Sequence, residues 1–190
     1  MQYSYQFSEE LQQEWEWSER YAPQAELLEY INHVVERFDL ARDIQLNTRI
    51  ESAVFDEANK QWQVSASNGD RLSAKYCIMA TGCLSAANKP DIPGLSSFTG
   101  PVYHTGEWPH DAVDFAGKRV GIIGTGSSAI QAIPIIAEQA DHLTVFQRTP
   151  NFSVPAYNKA LDPDYVKDIK QNYTALRDRG KQGFTAFDTQ

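Results

Sequence analysis

Gly124-Thr125-Gly126-Ser127-Ser128-Ala129 constrains the fold more than any other stretch, because of what stands on either side of it. The apolar run Val120-Gly121-Ile122-Ile123 leads directly into it, and an amphipathic stretch to Gln139 leaves it. Between a strand and a helix, GxGxxG/A is the pattern of a dinucleotide-binding turn. The first Gly allows the tight turn, the second lets backbone approach a pyrophosphate, and a small third residue, here Ala129, allows close packing of helix on sheet. Unpaired N–H groups at the helix start can then hold phosphate. The bland alternative is an ordinary Gly-rich strand-to-helix turn; the flanking strand and helix weigh against it. The spacing predicts a strand over 118–123, a helix over 127–139 and a second strand over 143–147, one βαβ-type unit.

The second strand runs into Gln147-Arg148-Thr149-Pro150, about 20 residues past the glycines, where an NAD site places Asp or Glu on the ribose hydroxyl. No acid stands there. Arg148 offers a planar fork of donors suited to a phosphate dianion, with the Thr149 hydroxyl beside it, which argues for NADP over NAD. The competing reading is a solvent-exposed loop arginine.

Elsewhere the patterns are those of an α/β chain. Alternation of Tyr3, Tyr5 and Phe7 with polar residues predicts a short strand or extended lead-in, followed by a helix from about Glu9. Pro23 suits a first helical position, and Leu27, Leu28, Ile31, Val34, Val35 and Phe38 recur at helical spacing up to Asp39. A three-stranded meander is expected over 53–55, 62–66 and 72–79, with a turn at Asn68-Gly69. Its last segment, Tyr76-Cys77-Ile78-Met79, is nearly all apolar and reads as buried on both faces. The stretch 88–117, rich in Pro and Gly, reads as a connection between folding units. A helix capped by Asp162 is expected to reach about Arg179, with no partner visible for the tail beyond it.

At 190 residues and 42% hydrophobic, the chain can bury a core. A net charge of -8, with scattered Lys and Arg, gives no footprint for nucleic acid. No apolar run reaches the roughly 18 residues of a membrane helix, and the aromatic, acidic start is unlike a signal peptide, so a cytoplasmic chain is expected. Cys77 and Cys83 fit neither a disulfide framework nor a paired zinc spacing; Cys77 is expected in the core, Cys83 inert, and no metal site is expected.

Phe98-x-Gly100-x-x-x-His104-x-x-x-Trp108-Pro109 resembles the FxGxxxHxxxWP signature of type I Baeyer-Villiger monooxygenases, and as in that family it sits just before the NADP fingerprint. Ala80-Thr81-Gly82, Gly117-Lys118-Arg119-Val120 and Phe146-Gln147-Arg148-Thr149-Pro150 are also similar to the family, above all to phenylacetone and cyclohexanone monooxygenases. Taken alone, His104 reads as a hydrogen-bonded structural histidine and Trp108 as a packing aromatic; within the family a linker-positioning role is favoured for both over proton transfer.

The resemblance implies that residues 1–87 are part of an FAD-binding domain, helices plus the meander, lacking its own N-terminal GxGxxG. It makes 88–116 the linker, 117–150 a Rossmann-like NADP-binding unit, and 151–190 the truncated start of a helical insertion. It implies that Gly124, Thr125, Gly126, Ser127, Ser128, Ala129, Ile130 and Gln131 line the NADP pyrophosphate and ribose, and that Arg148 and Thr149 take the 2'-phosphate. Tyr3 and the Ile50 backbone would touch FAD, although as plain residues they read as a core aromatic and a buried strand residue. The implied reaction uses NADPH, FAD and dioxygen to insert one oxygen into a ketone, giving an ester or lactone. The family's catalytic arginine would lie beyond residue 190, so no catalytic residue is assigned, and the chain alone is expected to be an inactive nucleotide-binding fragment. Origin in an N- or S-oxygenating flavin monooxygenase is disfavoured by the Trp108-Pro109 ending.

Overall fold

The computed structural model describes residues 3–182. The described residues form two compact units, one running up to Lys75 and resuming at Pro155, the other spanning Tyr76–Val154.

The first unit is built on helices. α1 (Glu9–Glu14) starts where the Ser8 hydroxyl accepts the Leu11 N–H at 3.1 Å. α2 (Gln24–Arg37) follows Pro23, which stands one residue before the first helical position. Leu11, Trp17, Tyr30 and Val34 from this region bury their side chains together with Ile169 and Tyr173 from the far end of the chain. Residues 158–161 are tied alongside 18–21, with the Leu161 N–H donating to Ser18 O at 2.9 Å and the Asn158 amide bonded to both backbone groups of Tyr21. The segment read as the start of an insertion therefore shares a core with the N-terminal helices.

The same unit carries an antiparallel meander, β1 (Ile50–Asp56), β2 (Gln61–Ala66) and β3 (Arg71–Ala74), in the order β1-β2-β3. Phe55 opposes Trp62, their rings 5.4 Å apart. Asn68-Gly69 makes the second turn as expected: Gly69 has φ +91, and the Asn68 carboxamide oxygen accepts the Asp70 N–H.

In the second unit, β4 (Arg119–Ile123) pairs in parallel with β5 (His142–Phe146) through α3 (Ser127–Gln139), the βαβ unit read from the sequence. The register runs from Arg119 opposite His142 to Ile123 opposite Phe146. Beyond it, in the first unit, come α4 (Pro163–Gln171) and α5 (Tyr173–Gln182). The Asp162 carboxylate caps α4 through the Asp164 and Tyr165 N–H groups, as its placement before Pro163 suggests.

Five expectations need correction. Tyr3, Tyr5 and Phe7 do not lie on a strand; the segment turns, the three rings are exposed, and Ser4 is the buried residue. The reason is hydrogen bonding: the Ser4 hydroxyl accepts Trp17 Nε1–H at 2.8 Å, and the Tyr30 hydroxyl accepts the Tyr5 N–H at 2.9 Å. The meander ends at Ala74; Tyr76, Ile78 and Met79 are exposed, because no strand of the described residues takes up that segment. Cys77 is accordingly half-buried, not core, while Cys83 is exposed. Ile50 is half exposed at the start of β1. The single expected helix from Asp162 is two, because Asn172 turns its carboxamide back onto the Asp168 carbonyl at 3.0 Å.

Candidate nucleotide-binding site

β4 delivers the chain to Gly124, whose φ of +104 lies in the region that favours glycine. Its N–H donates to the Phe146 carbonyl at 2.8 Å, which anchors the turn to the end of β5. Gly126 is different. Its backbone is ordinary, with φ -71 and ψ -179, and a Cβ built there meets nothing within 4 Å. Neither conformation nor neighbours require glycine at that position. What its missing side chain leaves is open space over the first turn of α3, where no side chain caps the helix. The Ile130 N–H already begins the helical ladder to Gly126 O, and Gln131 folds its carboxamide back onto Ser127 O at 2.9 Å. Ser127 and Ser128 are exposed and Ala129 is half-buried. An unobstructed, uncapped helix start behind a glycine turn fits the pyrophosphate of a dinucleotide.

Arg148 and Thr149 stand exposed just past β5, beyond Phe146. The structure also brings in two residues that sequence reasoning missed. Gln147 Nε2 donates to Thr125 Oγ1 at 2.9 Å, and Asn151 Nδ2 donates to Thr125 O at 3.2 Å. They lie 22 and 26 positions from Thr125, and although Gln147 falls in the family-like stretch beside Arg148, nothing in the sequence marks either residue as a partner of the turn. The usable signal was the parallel pairing of the two strands, which sets whatever follows β5 beside whatever follows β4.

The signature segment is organised about itself and α3. The Phe98 ring folds over Gly100 so closely that a Cβ there would lie 2.7 Å from it. His104 Nδ1 accepts the Gly106 N–H at 3.1 Å, so the neutral imidazole carries its proton on Nε2. Lys89 pairs with Glu107, and its hydrogen bond and charge hold that carboxyl below the usual range. Trp108 packs against Tyr103 and the buried Phe115, with ring centroids 5.6 and 6.3 Å apart. With Val113 and Phe115 it faces Ala132, Ile135 and Ile136 of α3 across an open cavity of about 450 Å³. Pro109 is half-buried. These contacts suit a positioning element.

Tyr3 and Ile50 lie in the other unit. Tyr3 is exposed at its edge-on contact with Trp17, and Ile50 pairs with Ala66. Neither is the buried core residue that the plain reading favours. Among the described residues no three His, Cys, Asp or Glu side chains gather as a metal site, and no helix is long and apolar enough to cross a membrane.

The parallel pair joined through a helix, with the glycine turn at its crest, defines a Rossmann-like α/β protein. A family model for pyridine nucleotide-disulphide oxidoreductases matches residues 3–184, and the chain belongs to that family. It is 43% identical over 186 residues to an acetone monooxygenase (methyl acetate-forming) from Gordonia sp. (strain TY-5), covering 98% of this chain and 35% of that protein. It is 45% identical over 176 residues to phenazine N-monooxygenase PhzNO1 from Lysobacter antibioticus, covering 93% of this chain and 32% of the relative. An oxidized steroid monooxygenase bound to NADP superimposes with a TM-score of 0.87 at 55% identity, over 95% of this chain and 34% of the other. The resemblance to Baeyer-Villiger monooxygenases thus extends along nearly the whole chain. The chain spans about a third of the length of these relatives.

Proposed function

We propose that this chain is the NADP-gripping portion of an NADPH- and FAD-dependent monooxygenase that converts ketones to esters or lactones with dioxygen. The observation that carries the cofactor reading is Gly126, a glycine that its own fold does not need, opening onto an uncapped helix start. Gly124 to Gln131 would hold the pyrophosphate and ribose, and Arg148 with Thr149 the 2'-phosphate. Tyr3 and the Ile50 backbone would contribute to FAD contact. When bound, NADPH supplies hydride and FAD the oxygen-transfer chemistry. This chain's residues bind and orient: His104 and Trp108 fix the linker beside α3. Residues 1–87 would serve the FAD domain, 88–116 the linker, 117–150 the NADP unit and 151–190 the helical insertion. The acetone monooxygenase relative supports ketones as substrates. A second reading, N-oxygenation, is supported by the phenazine N-monooxygenase relative.

Arg148→Ala tests the cofactor assignment. Losing a charge-assisted contact to phosphate costs about 1.5 to 3 kcal/mol, so NADP⁺ affinity should fall by roughly ten-fold or more. NAD⁺ affinity should change little. Calorimetric titration with both nucleotides reads the result, and equal losses for the two would sink the assignment.

A further inference from the structure

We propose that Gln147 and Asn151 are positioning residues that staple the Arg148 loop to the glycine turn, so that discrimination of the 2'-phosphate depends on their bonds to Thr125. The inference rests on the NADP reading given above. Arg148 sits in a short loop whose two ends both return to the same residue. Gln147 Nε2 reaches Thr125 Oγ1 at 2.9 Å on one side of it, and on the other Asn151 Nδ2 reaches Thr125 O at 3.2 Å and Oγ1 at 3.5 Å.

The backbone fixes the turn independently, because the Gly124 N–H is bonded to Phe146 O at the end of β5. After Phe146 the strand register ceases, and the loop takes its alignment with the turn from these two carboxamides. A guanidinium recognises a phosphate through paired donors in a set plane, so a loop that shifts by an ångström loses much of that geometry. Cutting the staple should therefore weaken 2'-phosphate recognition and leave the pyrophosphate contacts, made at Gly124 to Ala129, nearly intact.

The 190-residue chain is titrated with NADP⁺ and with NAD⁺, unsubstituted and as Gln147→Met, Asn151→Leu, Thr125→Val and Thr125→Ser, with circular dichroism recorded for each. The unsubstituted chain should prefer NADP⁺. Gln147→Met and Asn151→Leu should each reduce that preference by roughly three- to ten-fold, about the worth of one hydrogen bond, with NAD⁺ affinity little changed. Thr125→Val, at a residue that also lines the pyrophosphate, should weaken both nucleotides but NADP⁺ by roughly a further three-fold or more, whereas Thr125→Ser, which keeps the hydroxyl, should retain the preference. A merely structural role would lower both affinities together and leave their ratio alone. An unchanged ratio in every variant overturns the staple while the NADP reading stands. An unsubstituted chain with no preference overturns the NADP reading and the staple with it.

Discussion

Glu14 ties α1 to α2 at the surface: Arg37 Nε and Nη2 donate to its carboxylate at 3.2 Å, and His33 Nε2 lies 3.5 Å away. The Arg37 hydrogen bond, more than any other influence, holds the Glu14 carboxyl below its usual range. A carboxylate whose folded pKa is lowered contributes stability above its unfolded pKa and loses it as pH falls through the folded value. The melting temperature of Glu14→Gln should therefore lie below that of the unsubstituted chain at pH 7. The gap should close on acidification below about pH 4; a gap that persists or widens at pH 3 would contradict the pairing. At this scale, the turn at Gly124 and Gly126 was legible in the sequence because strand, glycine turn and helix start follow one another within a few consecutive residues. Gln147 and Asn151 were not, since their role exists only once two strands lie side by side.

The elements divide by whether their partners are local. α2, α3 and the meander followed from periodicity and from the Asn68-Gly69 turn, all short-range signals. Tyr76–Met79 was misread because an apolar run reports a preference for neighbours, not their presence, and the aromatic lead-in because its alternation does not show that Ser4 and the Tyr5 N–H bond to Trp17 and Tyr30. α4 shows how far partners can lie: Ile169 packs into a core with Leu11, Trp17 and Tyr30, more than a hundred positions away. Ile169→Ala should cost about 2 to 5 kcal/mol of stability, the range for a truncated buried side chain. Denaturant titration followed by circular dichroism measures it. A loss below about 1 kcal/mol would mean that α4 is not part of that core.

At the scale of the whole molecule, the two units carry different shares of the proposed chemistry. The glycine turn and Arg148 both fall within Tyr76–Val154, whereas Tyr3 and Ile50, the residues proposed to meet FAD, belong to the other unit. FAD also carries a pyrophosphate that calls for a Gly-rich turn before a helix, and the sequence holds one GxGxxA turn, at Gly124 to Ala129. The purified 190-residue chain should therefore show no stoichiometric flavin absorption after incubation with FAD, and should form no lactone from cyclohexanone with NADPH. A flavin-loaded spectrum would require a second binding route.

The central claim is that the turn at Gly124 to Ala129 is where the dinucleotide binds, and Gly126→Val tests it most directly. The site has room for a Cβ and needs no positive φ, so the variant should keep the circular dichroism spectrum of the unsubstituted chain. Its branched side chain would occupy the space the pyrophosphate needs, so calorimetric titration should show NADPH binding abolished. A folded variant that binds NADPH as tightly as the unsubstituted chain would show that the nucleotide sits elsewhere.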